Sequence, residues 1–131
     1  MSKKRILIIV DESSITRLLK LNLEMTGRYE AREVNTSAKA LLAAREFKPN
    51  LVLLDIMMPD MDGGDVAAQI QNEPTLKHIP IVFLTATVRP EELEKRGEVI
   101  GGFTYIAKPL NVKGVLSVIE RTIGNGPPAQ P

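Results

Sequence analysis

The chain has 131 residues, 44% hydrophobic and 25% charged, with a formal net charge of +1 and no cysteine. That is enough chain for one hydrophobic core, and the near-neutral balance gives no basis for binding nucleic acid or membranes by bulk charge. The missing cysteines exclude disulfide frameworks and thiolate metal sites. The first apolar run is too short for a signal core or a membrane span, so a soluble, cytoplasmic protein is expected.

Strand and helix patterns alternate along the chain. Residues 6–10 form an apolar run, after which Ser13 or Ser14 is placed to cap a helix with Ile15, Leu18, Leu19 and Asn22 along one side. Gly27 marks its end. Residues 29–34 mix apolar and charged side chains, as at a sheet edge. Thr36 or Ser37 opens a second helix carrying Ala38, Leu41, Leu42 and Arg45, which Pro49 stops.

A third apolar run at 51–54 precedes a methionine-, aspartate- and glycine-rich loop and a helix over 65–72. A fourth run at 81–84 precedes Pro90-Glu91-Glu92, a favourable first helical turn, in a helix that Gly97 and Gly101-Gly102 cut short. A last run at 103–107 is followed by Asn111, a cap for a final helix bearing Val112, Val115, Leu116, Ile119 and Ile123. Residues 4–124 thus read as one domain, and 125–131, rich in Gly and Pro, as a flexible tail.

Apolar runs of this kind are strands buried on both faces, as in a parallel sheet covered by helices. Polar groups stand where each run ends: Asp11 and Glu12 after the first, Asp55 after the third, Thr85 after the fourth, Lys108-Pro109 after the last. Ligands of open α/β sheets bind outside the carboxyl ends of the strands. Carboxylates, a hydroxyl and an amine meeting there suit a divalent cation and a phosphoryl group.

With these residues in these places, the chain resembles the receiver domains of two-component response regulators. The resemblance rests on Asp11-Glu12, the segment from Leu54 through Asp55 and Pro59 to Gly63, Thr85-Ala86, and Tyr105 through Lys108-Pro109. It implies an α/β, flavodoxin-like (βα)5 fold, a doubly wound parallel five-stranded sheet in the order 2-1-3-4-5. It further implies that Asp55 accepts a phosphoryl group from a histidine kinase or phosphotransfer protein in a Mg²⁺-dependent reaction. Asp11, Glu12, Asp55 and the Met57 carbonyl hold the metal in this reading, Glu12 directly and Asp11 through water. Lys108 pairs with the phosphoryl oxygens, and Thr85 and Tyr105 act as switch residues.

The chemistry is consistent with those roles. An anionic carboxylate attacking an anionic phosphoryl donor needs cationic help, and gathered carboxylates favour cation binding by their mutual repulsion. The chain is therefore expected to be a switch protein rather than an enzyme, its only catalysis being its own phosphorylation and dephosphorylation. A downstream protein effector is expected, without direct nucleic acid or membrane contact and with homodimerisation left open. Two alternatives are a pseudo-receiver that binds partners without phosphorylation, for which Glu12 in place of the commoner aspartate leaves room, and a haloacid-dehalogenase-type phosphatase. The phosphatase needs a second acid two residues after the nucleophile, where this chain has Met57.

Overall fold

A computed structural model describes residues 3–56, 63–85, 96–100, 103–107 and 111–123, with backbone alone at 63, 85, 96–100, 103–105 and 107. In chain order the elements are β1 (Lys4–Ile9), α1 (Ser13–Met25), β2 (Tyr29–Val34), a 3₁₀ turn (Ser37–Lys39) and α2 (Ala40–Phe47). Then follow β3 (Leu51–Asp55), α3 (Gly63–Gln71), β4 (Ile81–Thr85), β5 (Arg96–Ile100), β6 (Phe103–Ala107) and α4 (Val112–Ile123).

The sheet runs β2-β1-β3-β4-β6-β5. All neighbours pair in parallel except β5, which lies antiparallel on β6. The order expected for a flavodoxin-like sheet is present, with Phe103–Ala107 as its last parallel strand. The antiparallel edge strand was not expected. Residues 96–100 carry Val99 and Ile100, good strand formers. They are joined to β6 through Gly101-Gly102 alone, the residue pair most permissive of a two-residue reversal. That glycine pattern signals a hairpin rather than an interrupted helix.

The strands alternate their side chains between two apolar layers. Leu7, Ile9, Val52, Leu54, Ile81 and Phe83 pack with α2 and α3 on one face. Ile6, Ile8, Leu51, Leu53, Val82 and Leu84 pack with α1 and α4 on the other. Central β3 is buried along its whole length, which is why its sequence is continuously apolar up to Asp55.

Register is anchored at the amino edge of the sheet. The Arg5 N–H donates to Asn50 Oδ1 and the Asn50 N–H to the Arg5 carbonyl, each at 2.7 Å. The Arg5 guanidinium reaches the Lys48 carbonyl at 2.7 and 2.9 Å, beside a Lys48 backbone in the left-handed region at φ 53. From there β1 and β3 run in step from Ile6 opposite Leu51 to Ile9 opposite Leu54. Asp55 therefore arrives level with the end of β1.

Two helix faces differ from expectation. In α1 the buried residues are Thr16, Leu19 and Leu23, with Ile15 partly buried; Leu18 is 52% exposed. In α2 they are Ala40, Ala43, Ala44 and Phe47, whereas Leu42 is exposed and Leu41 only packs at the margin. In both, the inward stripe is rotated from the one expected, because small or polar residues fit the close approach to the sheet. The α1 cap position is Glu12, with no side-chain cap bond, rather than a serine. Helix α3 begins at Gly63 rather than 65. Helix α4 is as expected, with the Gly114 N–H donating to Asn111 Oδ1 at 3.2 Å. The helix expected from Pro90 lies, up to residue 95, outside the described residues, as does the tail 125–131.

Candidate functional site

At the carboxyl edge of the parallel strands, register brings Asp11, Glu12, Asp55 and Thr85, among the predicted residues, to neighbouring strand ends. Asp55 is the last residue of β3 and stands opposite Leu84 of β4. Thr85, the next residue of β4, stands opposite Ala107 of β6, and Lys108 follows Ala107 in sequence. On the other side, Asp11 and Glu12 leave the end of β1, the neighbour of β3. Adjacent strands lie about 4.8 Å apart, so the ends of β1, β3 and β4 form one narrow ledge.

The three acids differ in setting. Asp55 is 1% exposed. Asp11 and Glu12 are exposed, and the Glu12 carbonyl accepts the N–H groups of Ile15 and Thr16 at 3.1 and 3.2 Å. This turn starts α1 directly from the site. The ledge is thus a recessed carboxylate flanked by two accessible ones. The Ile56 N–H donates to the Leu84 carbonyl at 3.1 Å, extending β3–β4 pairing past Asp55 and holding it in line.

Among the described residues no three His, Cys, Asp or Glu side chains converge into a metal-holding group. Mg²⁺ does not require such a cage, since it keeps several waters and uses one or two carboxylates together with phosphate oxygens. The donor set at this edge, carboxylate oxygens with no nitrogen or sulfur among the predicted ligands, suits that ion. Met57, Lys108 and Pro109 lie outside the described residues, as do the side chains of Thr85 and Tyr105.

Three residues under the Asp11-Glu12 turn were not foreseen. Thr16 is fully buried, and its hydroxyl meets Glu33 Oε1 at 2.8 Å and the Ser13 carbonyl at 3.0 Å. Asn35 Nδ2 donates to Thr16 Oγ1 at 3.0 Å and to the Val10 carbonyl at 2.8 Å. Thr16 lies off the stripe that the sequence marks as inward, so no local signal singles it out. A separate depression of about 430 Å³ at the opposite, amino edge is lined by Arg5, Arg45, Lys48 and His78, among others. It contains none of the predicted residues.

The chain matches the family model for the response regulator receiver domain over residues 6–120. It is 34% identical over 129 residues to the alkaline phosphatase synthesis transcriptional regulatory protein PhoP of Bacillus subtilis, covering 98% of this chain and 52% of that one. It is 30% identical over 122 residues to the polar-differentiation response regulator DivK of Brucella anthropi, covering 93% of this chain and 98% of DivK. This chain therefore spans about half of the first relative and nearly all of the second. Among solved structures, the chemotaxis protein CheY4 of Vibrio cholerae superposes with a TM-score of 0.78 at 25% identity, covering 92% of this chain and 98% of that one.

Proposed function

The chain belongs to the response regulator receiver domain family, and from that premise we propose that it is a phosphorylation-controlled switch whose acceptor is Asp55. The observation carrying this reading is the single carboxylate recessed at the end of central β3 between two exposed acids and the strand ends that lead to Thr85 and Lys108.

A carboxylate oxygen of Asp55 attacks the phosphorus of a phosphohistidine donor. A P–O bond forms as the P–N bond breaks, and the electron pair leaves on the imidazole nitrogen, which takes up a proton. Mg²⁺ held by Asp11, Glu12 and Asp55, with the Met57 carbonyl, would supply charge neutralisation between nucleophile and phosphoryl group. Lys108 offers a compact ammonium to the phosphoryl oxygens. The Thr85 hydroxyl donates to the same group and, with Tyr105, passes the change to the surface around β6 and α4. The chain has no other catalytic role in this reading.

The donor is a histidine kinase or phosphotransfer protein, and its contact surface begins at α1. Ser13, Ser14, Arg17, Leu18 and Leu21 line a shallow depression of about 440 Å³, starting one residue after Glu12. Apolar surface beside a reactive group is where a protein donor gains its hold. The output is a protein effector that reads the switched surface.

Incubation with Mg²⁺ and acetyl phosphate, read by intact mass, tests the core of this reading. One added phosphoryl group is expected on the wild type and none on Asp55→Asn or without Mg²⁺. A wild type that takes no phosphoryl group overturns the reading and leaves a phosphorylation-independent binding module.

A further inference from the structure

Thr16 of α1, Glu33 of β2 and Asn35, just after β2, meet beneath the Asp11-Glu12 turn. An amide NH₂ has two protons, and those of Asn35 are used on Val10 O at 2.8 Å and Thr16 Oγ1 at 3.0 Å. A hydroxyl has one proton, and the nearer acceptor for that of Thr16 is the charged Glu33 carboxylate at 2.8 Å. The result is a directed chain in which Glu33 accepts from Thr16, Thr16 accepts from Asn35, and Asn35 holds the Val10 carbonyl. That carbonyl belongs to the peptide unit leading into Asp11. The other side of Val10 is held as well, its N–H donating to the Val34 carbonyl at 3.1 Å.

The turn carrying the two acids is thus fixed from below by a network whose central hydroxyl is 0% exposed. Thr16 also gives its N–H to the Glu12 carbonyl at 3.2 Å, so one residue holds the turn through both backbone and side chain. A core position of this kind would ordinarily carry an aliphatic residue, and Val has the same shape as Thr. A buried hydroxyl with a charged acceptor is costly to misplace, which makes the network a rigid mount rather than filler.

We propose that Thr16, with Asn35 and Glu33, is a positioning residue that sets Asp11 and Glu12 for Mg²⁺, and this rests on the receiver reading above. Residues that act behind metal ligands to fix their orientation change metal affinity by about 10- to 100-fold when mutated; here the hold is on the backbone that carries the two acids.

The test uses the whole chain and Mg²⁺ alone, with dissociation constants from isothermal titration calorimetry and melting temperatures measured in parallel. Thr16→Val is expected to weaken Mg²⁺ binding about tenfold, and Thr16→Ser, which restores the hydroxyl, to bring it back close to wild type. Should Thr16→Val not fold, Asn35→Leu, at a half-buried position, is expected to show the same loss. A purely structural threonine would lower the melting temperature and leave the dissociation constant unmoved. A folded Thr16→Val, or in its absence Asn35→Leu, that binds Mg²⁺ within twofold of wild type overturns the positioning role alone. A wild type that binds no Mg²⁺ overturns it together with the metal-dependent reading of the site.

Discussion

Asp55 and Tyr29 are both buried oxygen-bearing side chains in the sheet, and their surroundings set different tasks. Tyr29 is fully buried, and its hydroxyl has no hydrogen-bond partner among the described residues. Burial raises its pKa above the ordinary 10.0, opposed by the neighbouring Arg28 guanidinium and reinforced by the charge of Glu120. A raised value means that the folded state holds the phenolic proton more tightly than the unfolded chain. Its contribution to stability is complete below about pH 10 and is lost as pH rises through the folded value. Melting temperature is therefore expected to fall more steeply above pH 10 in wild type than in Tyr29→Phe. At neutral pH, Tyr29→Phe should be neutral or stabilising by about 1 kcal/mol, since it removes a buried hydroxyl without a partner. A marked loss of stability in Tyr29→Phe at neutral pH would show that the hydroxyl is bonded. At this same scale the buried Asp55 was legible in the sequence as a candidate, because an acid ending an apolar run is conspicuous. The Thr16 mount was not, because a threonine in a helix signals nothing until its partners arrive.

The helices show where periodicity stops being sufficient. In α1, Ile15, Leu18, Leu19, Leu21 and Leu23 offer overlapping apolar stripes, and nothing local ranks them. Packing chooses the stripe through Thr16, Leu19 and Leu23, which leaves Leu18 and Leu21 at 52% and 55% exposure. This surplus of apolar surface is the element-scale counterpart of the proposed donor contact. Leu18→Ala is expected to slow phosphoryl transfer from a histidine-phosphorylated protein donor by about tenfold, equivalent to roughly 1.4 kcal/mol. The rate with acetyl phosphate should be unchanged, since that donor needs no docking. Equal rates for wild type and Leu18→Ala with a protein donor would remove α1 from the docking surface. In α2 the same ambiguity was resolved by alanines. Ala40, Ala43 and Ala44 face the sheet, where short side chains let the helix approach closely, while the larger Leu42 is left outside.

At the scale of the whole molecule, two apolar layers share one sheet, so neither can be lost without the other. Leu53 belongs to the α1 and α4 layer and is fully buried in central β3, two residues before Asp55. Leu53→Ala is expected to cost about 2–5 kcal/mol. Unfolding should remain a single cooperative transition by circular dichroism and by calorimetry. Two separable transitions would mean that the layers fold independently. The ion pair between Arg28 Nη2 and Glu120 Oε2, at 2.9 Å, links the start of β2 to α4 across this layer. At about one-third exposure it adds little energy, of the order of 0–1 kcal/mol, so the shared core carries the cooperativity.

The order of residues was enough to give the alternation of strands and helices, the parallel core of the sheet, and the placement of Asp11, Glu12, Asp55 and Thr85 at the ends of β1, β3 and β4. Short continuous apolar runs that alternate with helical patterns read as strands buried on both faces, and polar groups ending such runs fall at the carboxyl edge. Only packing settled the inward faces of α1 and α2 and the network beneath the acid pair. Those features depend on partners far apart in the chain. Thr16 is 17 residues from Glu33, and Asn35 is 25 from Val10. No local pattern encodes a contact whose two halves acquire meaning only when α1 and β2 are packed together against β1.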